Sequence, residues 1–478
     1  MNYFVLSSLI RIFDLRSKIL SLTVSSNVTT RPNVQARWYS LLHLFDNKNM
    51  NYFVLSSLIR IFAIEIKPMT NMKKYLLTTL FILMGGSALA QRTINVRVTN
   101  NASFQRTSVP VVISLDNYGV VASALVKDDG KEIACQLDDL NGDGQYDELC
   151  FLTDLDKKQM KTFSVTFSSE GKPREYKPQV YVEMMLSNKK IKEENKQDIY
   201  ISSLTVDGNV NPYNQLHHHG PAFENDMVAY RVYFDHRQTV DIYGKYHRGL
   251  EIRQTQFYPD QAQKDSGFGD DVLWVGETLG LGTLRGFDGS KPTMIKDVEQ
   301  RGQRIVSRGP LRTIVEMTDK QWRQSADAQP VDMTTRYTLY AGRRDCQVDV
   351  MFSRPVADLR FATGIINVKN STEYSDKKGL RGCWGTDWPV SEKDSVGHKR
   401  ETVGLGICIP RASLVQELEA TTDNYGYEVA IRGNQYHYRI TFGSDNEDFG
   451  YHNASDWFDY LKLWKRDIEQ QVNIKIEH

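Results

Sequence analysis

Residues 229–245 read AYRVYFDHRQTVDIYGK. Two short runs rich in aromatic and β-branched residues, 229–234 and 239–243, flank His236-Arg237-Gln238, and this pattern predicts two paired strands joined by a tight turn. Side chains alternate along a strand, so Arg231, Tyr233 and Asp235 share one face of the first, and Asp241, Tyr243 and Lys245 one face of the second. The same signals recur in both directions. Upstream, 93–98 and 161–167 alternate apolar with polar residues, and 109–115, 132–137, 148–152 and 179–185 are short runs of the same kind. Downstream, 272–275, 304–316, 333–340, 347–352 and 436–442 continue the pattern, and long amphipathic helical repeats are nearly absent. Near the end Ser455 can cap a helix with Trp457, Leu461, Trp464 and Ile468 on one face, and 472–476 reads as a closing strand. The predicted fold is all-β. A small N-terminal β-sandwich over 91–170 is followed, after a polar stretch with Gly171, Pro173 and Pro178, by a large antiparallel supersandwich over 171–478 that carries the C-terminal helix.

The first 90 residues read differently. MNYFVLSSLIRIF at 1–13 recurs unchanged at 50–62. Repeats that pack in a fold diverge, so a perfect copy across a patternless spacer marks 1–68 as a mistranslated upstream segment. From Met69 or Met72, Lys73 and Lys74 precede an apolar run at 75–84, and Ser87-Ala88-Leu89-Ala90 offers a cleavage site before Gln91, so 69–90 is predicted to be a signal peptide. Its apolar run is too short to cross a bilayer, so no stable membrane anchor is expected in the mature form. A periplasmic or secreted location follows. Of the chain's 59 Lys+Arg and 59 Asp+Glu, 10 and 3 lie in 1–90, so 91–478 carries a formal charge near −7. An acidic surface without a basic run argues against nucleic acid as partner. The five cysteines (Cys135, Cys150, Cys346, Cys383, Cys408) show no zinc spacing. Cys135 and Cys150 stand equally far from a hairpin midpoint, which predicts a cross-strand disulfide.

Candidate chemistry concentrates at 213–247, where Tyr213 and the run His217-His218-His219 precede Glu224, Asp226 and the hairpin. Arg, Tyr, Asp and Lys on one sheet face are costly in a core and natural in a polar cleft. Arg231 and Lys245 could neutralise a sugar carboxylate while His218, His219, Tyr233 or Tyr243 moves protons, which is the chemistry of β-elimination. Glycoside hydrolysis would instead pair Glu224 or Asp226 with another carboxylate. A metal on the three-His run is weaker, because on an extended chain only His217 and His219 would converge. Tyr213 and Asp235 are expected to bind substrate, as are Trp384, Asp387 and Trp388 in a Gly/Pro-rich loop at 382–389 suited to stacking a sugar. Asp139, Asn141, Asp143 and Asp147 match the first half of a calcium loop, although position twelve is Cys150 rather than Glu, so a structural Ca2+ is the one cofactor considered. The Gly-rich stretch 268–282 reads as close-packed turns.

The block HHHGPAFEND…AYRVYFD…DIYGK, the loop at 138–148, the segment 271–282 and the Trp384-Gly385 loop resemble a family of secreted proteins of unknown function from saccharolytic Gram-negative bacteria. The resemblance covers most of 91–478. It implies a genomic setting near pectin-degrading enzymes and an architecture similar to the galactose-mutarotase-like supersandwich, and it supplies no catalytic residues. The leading expectation is therefore an enzyme acting on uronic-acid-containing oligosaccharides or polysaccharides by β-elimination or a related proton-transfer step. A glycoside hydrolase and a noncatalytic glycan-binding protein are the alternatives.

Overall fold

The computed structural model describes residues 91–193 and 196–477, so the expectations for the duplicated segment and the signal peptide fall outside the described residues. The all-β expectation holds. A nine-stranded antiparallel sheet runs, in spatial order, Ser203–Asp207, Gln300–Arg308, Arg312–Trp322, Val331–Tyr340, Asp345–Phe352, Gln435–Ser444, Glu401–Cys408, Leu380–Asp387, Thr372–Ser375. Two five-stranded sheets oppose it. One holds Val180–Glu183, Ala222–Asn225, Ala229–Val232, Val240–Gly244 and Asp270–Asp271; the other is built on Phe361–Ile366 and Asn424–Val429. One hydrophobic core joins the three, taking Phe223, Tyr230 and Ile242 from the first, Phe361 and Tyr427 from the second, and Met317, Val348 and Ile440 from the long sheet. This is the layered supersandwich that the short alternating strands predict.

The sequence placed several elements imperfectly. The run 304–316 is not one strand but a hairpin, Gln300–Arg308 and Arg312–Trp322, since Gly309-Pro310 turns the chain. The run 272–275 lies beyond the two-residue strand Asp270–Asp271. The supposed sugar-stacking loop at 382–389 is mostly the strand Leu380–Asp387. Its glycines serve packing: a Cβ on Gly382 would lie 2.3 Å from Leu461, and one on neighbouring Gly404 would lie 2.6 Å from the Trp457 ring. That ring belongs to the helix Ala454–Glu469, whose Trp457, Leu461 and Trp464 are buried as the periodicity predicts. Its N-cap is Asn453 rather than Ser455, because the Asn453 side chain accepts the Asp456 amide.

Residues 91–168 form a small sandwich with its own core, from Ile94, Val96 and Val98 to Phe163, Val165 and Phe167. The closing strand Asn473–Glu477 pairs with Gln91–Thr99, so the two ends of the described chain share one sheet. Buried polar contacts tie this sandwich to the long sheet. Arg312 Nε donates to Asp138 Oδ2 (2.7 Å) and Nη2 to Glu148 Oε2 (2.7 Å), and Gln136 Oε1 accepts the Leu311 and Arg312 amides. Loss of one partner from such a site leaves the others buried and uncompensated. Arg312→Ala is therefore expected to lower stability by about 3–5 kcal/mol in urea unfolding; a change below about 1 kcal/mol would contradict this role.

The disulfide expectation fails on register. Cys135 pairs with Phe151 and Gln136 with Cys150, so the two sulfurs occupy opposite faces of the sheet, and both cysteines are free. Peptide mapping without reductant should find Cys135 and Cys150 alkylated; a linked peptide pair would reverse the assignment.

Candidate functional site

The hairpin is as the sequence predicts: Ala229 pairs with Tyr243, Arg231 with Asp241 and Val232 with Val240. Tyr230, Val232, Val240 and Ile242 enter the main core. Alternation then sends Ala222, Glu224, Ala229, Arg231, Asp241 and Tyr243 to the outer face. That face is not open to water. The short helix Ile252–Thr255, Phe257 and Tyr258 cover it, with Ala222, Ala229, Tyr243, Ile252 and Phe257 making a small apolar cluster around the charged groups.

Arg231 organises the cluster. Its Nε and Nη2 donate to Asp241 Oδ2 (3.0 and 2.6 Å), Nη2 also to Asp271 Oδ2 (2.6 Å) and Tyr233 OH (3.2 Å), and Nη1 to Tyr258 OH (2.8 Å). Burial works against the guanidinium's charge, yet Tyr233, Tyr258, Asp271 and Asp241 around it hold its pKa well above the ordinary value. Asp241 is sealed, accepting in addition from Tyr233 OH (2.8 Å) and the Ile242 amide (2.9 Å). Asp271 is not: its side chain is 16% exposed. Burial raises the Asp271 pKa well above the usual carboxylate range, against Arg231 and with help from Asp241. One cation shared by two acids favours one retained proton, and Asp271 is the member that can exchange it.

The histidines form the adjoining wall. His218 and His219 both adopt left-handed backbone (φ 45° and 65°), as do Gln256 and Phe257 opposite (φ 50° and 70°). Such strain costs of order 1–3 kcal/mol per residue and concentrates at functional sites. The left-handed turn corrects the extended-chain expectation: His217 and His218 pack together (ring centroids 4.4 Å apart), while His219 turns away to stack on Tyr213 at 3.7 Å. Among the described residues no group of three or more His, Cys, Asp or Glu is placed to hold a metal. His218 Nδ1 donates to Gly220 O (3.4 Å), so Nε2 accepts from a protonated Glu183 (3.0 Å). Burial accounts for both shifts, raising Glu183 to about 7 and lowering His218 to about 3. His219 Nδ1 donates to Tyr213 O (2.9 Å), which leaves Nε2 as a lone-pair acceptor with no partner among the described residues. Burial lowers its pKa to about 4, so it is neutral near pH 7. Its ring lies 6.0 Å from that of Tyr233, the residue that joins this wall to Arg231.

Other expected site residues are engaged elsewhere. Lys245 and Glu224, both with fully buried side chains, pair at 2.5 Å; Lys245 also donates to Asn225 O and Gly249 O, and Glu224 caps the Glu251 and Ile252 amides. Neither is offered to a substrate. Tyr243 OH meets Glu251 Oε2 (3.0 Å) and Gly269 O (2.7 Å) beneath the cap, and Asp235 is held by Arg237 (2.6 Å). That guanidinium in turn lies 4.6 Å from the Tyr213 ring. Trp384 packs 6.4 Å from Trp457, Asp387 binds the Trp388 and Lys369 amides, and all three of that trio are half-buried. In the 139–147 turn, Asp139 accepts the Gly142 and Gly144 amides, Asn141 that of Asp143, Asp143 that of Gln145, and Asp147 that of Leu140.

Asp271, Tyr258 and Glu183 were missed by sequence reasoning. Asp271 stood inside a stretch read as turns, and only its pairing with Tyr243 brings it to the hairpin.

Fold and site together define a β-supersandwich protein with a capped acid–base cluster on the outer face of its smaller layer. The chain belongs to the family described as "Domain of unknown function (DUF4861)", which matches residues 98–474. No curated protein matches it. Among solved structures, an α-mannosidase from Enterococcus faecalis V583 is similar at 10% identity and a TM-score of 0.41, over 81% of this chain and 46% of that one. A 4-α-glucanotransferase from Thermococcus litoralis is similar at 11% identity and a TM-score of 0.22, over 47% and 39%. The chain thus spans less than half the length of either protein.

The neutral histidines make stability pH-dependent. His217, His218 and His219 hold pKa values of about 3, 3 and 4 when folded, so each takes up a proton on unfolding once pH falls below about 6.5. Glu183 acts oppositely, releasing a proton on unfolding between pH 4.5 and about 7. The histidines' contribution to stability should therefore fall on acidification from about pH 6.5 to 4.5, by about 1.4 kcal/mol per pH unit for each proton, while the raised Asp271, Glu224 and Glu251 carboxyls act in the same sense as Glu183. His218→Asn should flatten the slope of urea-unfolding free energy against pH by about one proton; an unchanged slope would contradict the neutral His218–Glu183 pair.

Proposed function

We propose that the protein is a carbohydrate-active enzyme that cleaves uronic-acid-containing, pectin-type oligosaccharides by β-elimination, working in the periplasm or outside the cell. The supporting observation is the pairing of a partly open, proton-retaining Asp271 with a neutral His219 whose Nε2 has no partner, joined through Tyr233 and Arg231. In the elimination, His219 Nε2 takes the proton from the carbon bearing the carboxylate. The C–H electron pair becomes the new double bond, the bond to the leaving oxygen breaks, and Asp271 gives that oxygen its proton. Arg231 acts by position: fixed on both aspartates, it sets how tightly Asp271 holds its proton and is not itself the counter-ion of a substrate acid. Hydrolysis by paired carboxylates has less support. Asp241 and Asp271 share one guanidinium nitrogen, but Asp241 is wholly buried with both oxygens engaged, and Glu224 is locked to Lys245.

Wild-type protein incubated with oligo-uronates should generate the ultraviolet absorbance of an unsaturated uronide. Asp271→Asn and His219→Asn should each lower kcat by about 10²–10⁴ with little change in Tm, whereas Lys245→Met should lower stability by about 3–5 kcal/mol. Reducing ends without the absorbance would replace elimination by hydrolysis. Binding with neither would make the protein a glycan-binding module.

A further inference from the structure

The Arg231 cluster leaves a substrate's acid groups without a free cation, and the structure provides one at the rim. The strand Asp270–Asp271 leads through buried Val272 and Leu273 to Trp274, which is 43% exposed. Three residues of chain keep Trp274 within about 11 Å of Asp271 by Cα reach. The Trp274 amide donates to Trp388 O (3.2 Å), which sets the two tryptophans side by side. The guanidinium of Arg400 lies over the Trp388 ring at 5.1 Å, is exposed, and makes no ion pair among the described residues. Lys399, next in the chain, pairs with Glu401 (3.4 Å), donates to Tyr246 OH (3.2 Å) and sits 5.8 Å from that ring. Tyr246 closes the circuit, because it follows the strand Val240–Gly244 that pairs with Asp270–Asp271. Three aromatic rings and one outward cation without an ion pair among the described residues, Arg400, thus border the approach to Asp271, with Lys399 held beside Tyr246 by Glu401.

We propose that Trp274, Trp388, Tyr246, Lys399 and Arg400 form a subsite for an anionic sugar unit of the oligosaccharide whose neighbouring unit reaches Asp271. The inference rests on the acid–base reading of that cluster and adds the place where the substrate's charge is read. A sugar ring has an apolar C–H face that stacks on an indole, and a uronate adds a carboxylate at its edge. Arg400 matches that edge, since a guanidinium meets a carboxylate with two parallel hydrogen bonds and its stacking on Trp388 pre-orients it. A neutral glycan would use the rings and leave Arg400 idle.

The test uses Asp271→Asn protein, so that ligand is not consumed, titrated calorimetrically with an oligo-uronate and with the same oligosaccharide after its carboxyls are reduced to alcohols. Adding Arg400→Gln is expected to weaken oligo-uronate binding about tenfold and leave the reduced ligand unaffected. Adding Trp274→Ala should weaken both ligands up to about tenfold. Raising the salt should weaken oligo-uronate binding more in the parent than in the Arg400→Gln variant. Parent affinity for the oligo-uronate that survives both substitutions, or is no greater than for the reduced ligand, overturns the subsite. If wild-type protein still produces unsaturated uronide in that case, the proposed function stands while the subsite falls. Absence of binding to either ligand overturns both.

Discussion

A guanidinium buried on the outside of a sheet is the constraint from which much of this structure follows. Arg231 projects away from the core, where water would normally solvate it. Instead, two aspartates and two tyrosines surround it, and Phe257 closes over it with the ring centroid 4.3 Å from its carbon. Desolvating such a charge is expensive unless every partner is in place. The hairpin supplies Tyr233 and Asp241, the cap over 251–258 supplies Phe257 and Tyr258, and the short strand Asp270–Asp271 supplies Asp271. The cap needs its own anchor, and the sealed Lys245–Glu224 pair provides it by holding the start of the helix Ile252–Thr255. The arrangement carries two kinds of buried charge, one that fixes the cap and one that tunes an acid.

The same economy recurs where the small sandwich meets the nine-stranded sheet. Arg312 there gathers Asp138 and Glu148 as Arg231 gathers Asp241 and Asp271, but both of its acids come from the small sandwich, so the cluster joins two parts of the fold. On the other side of Glu148 lies an open cleft of about 600 Å³, bordered also by Asn141, Asp147, Arg304, Glu316 and Arg336. Its cations are committed, since Arg304 and Arg336 both pair with Glu316. The rim beside Asp271 differs from that cleft in having the exposed Trp274 and, in Arg400, a guanidinium that makes no ion pair among the described residues.

Period-two alternation made the fold class and the hairpin at 229–245 legible, because a half-buried strand writes its faces directly into the sequence. Alternation also put Arg231 and Asp241 on one side, but it does not say what covers a face. Lys245 and Glu224 therefore read as free chemistry when each is the other's partner, and Tyr243 when it is beneath a cap. Asp271 was hidden for a related reason. Its partners lie 28 to 40 residues upstream, and its own neighbours, rich in glycine, look like any set of turns. The tryptophans misled in the opposite sense: Trp384 reads as a loop platform because Gly382 and Gly385 flank it, yet those glycines lie in a strand against which a helix packs. Local pattern reports secondary structure and orientation. It does not report the long-range pairing that turns an orientation into a site.

The central claim is that a glycan meets the protein at the outer face of the smaller layer, against Asp271 and His219. A crystal structure of the Asp271→Asn variant with an oligo-uronate tests this most directly. The account predicts a sugar unit within hydrogen-bonding distance of residue 271 and of His219 Nε2, with the chain running out over Trp274. Density for the glycan in the cleft lined by Arg304, Glu316 and Arg336, with the Arg231 cluster unoccupied, would contradict it.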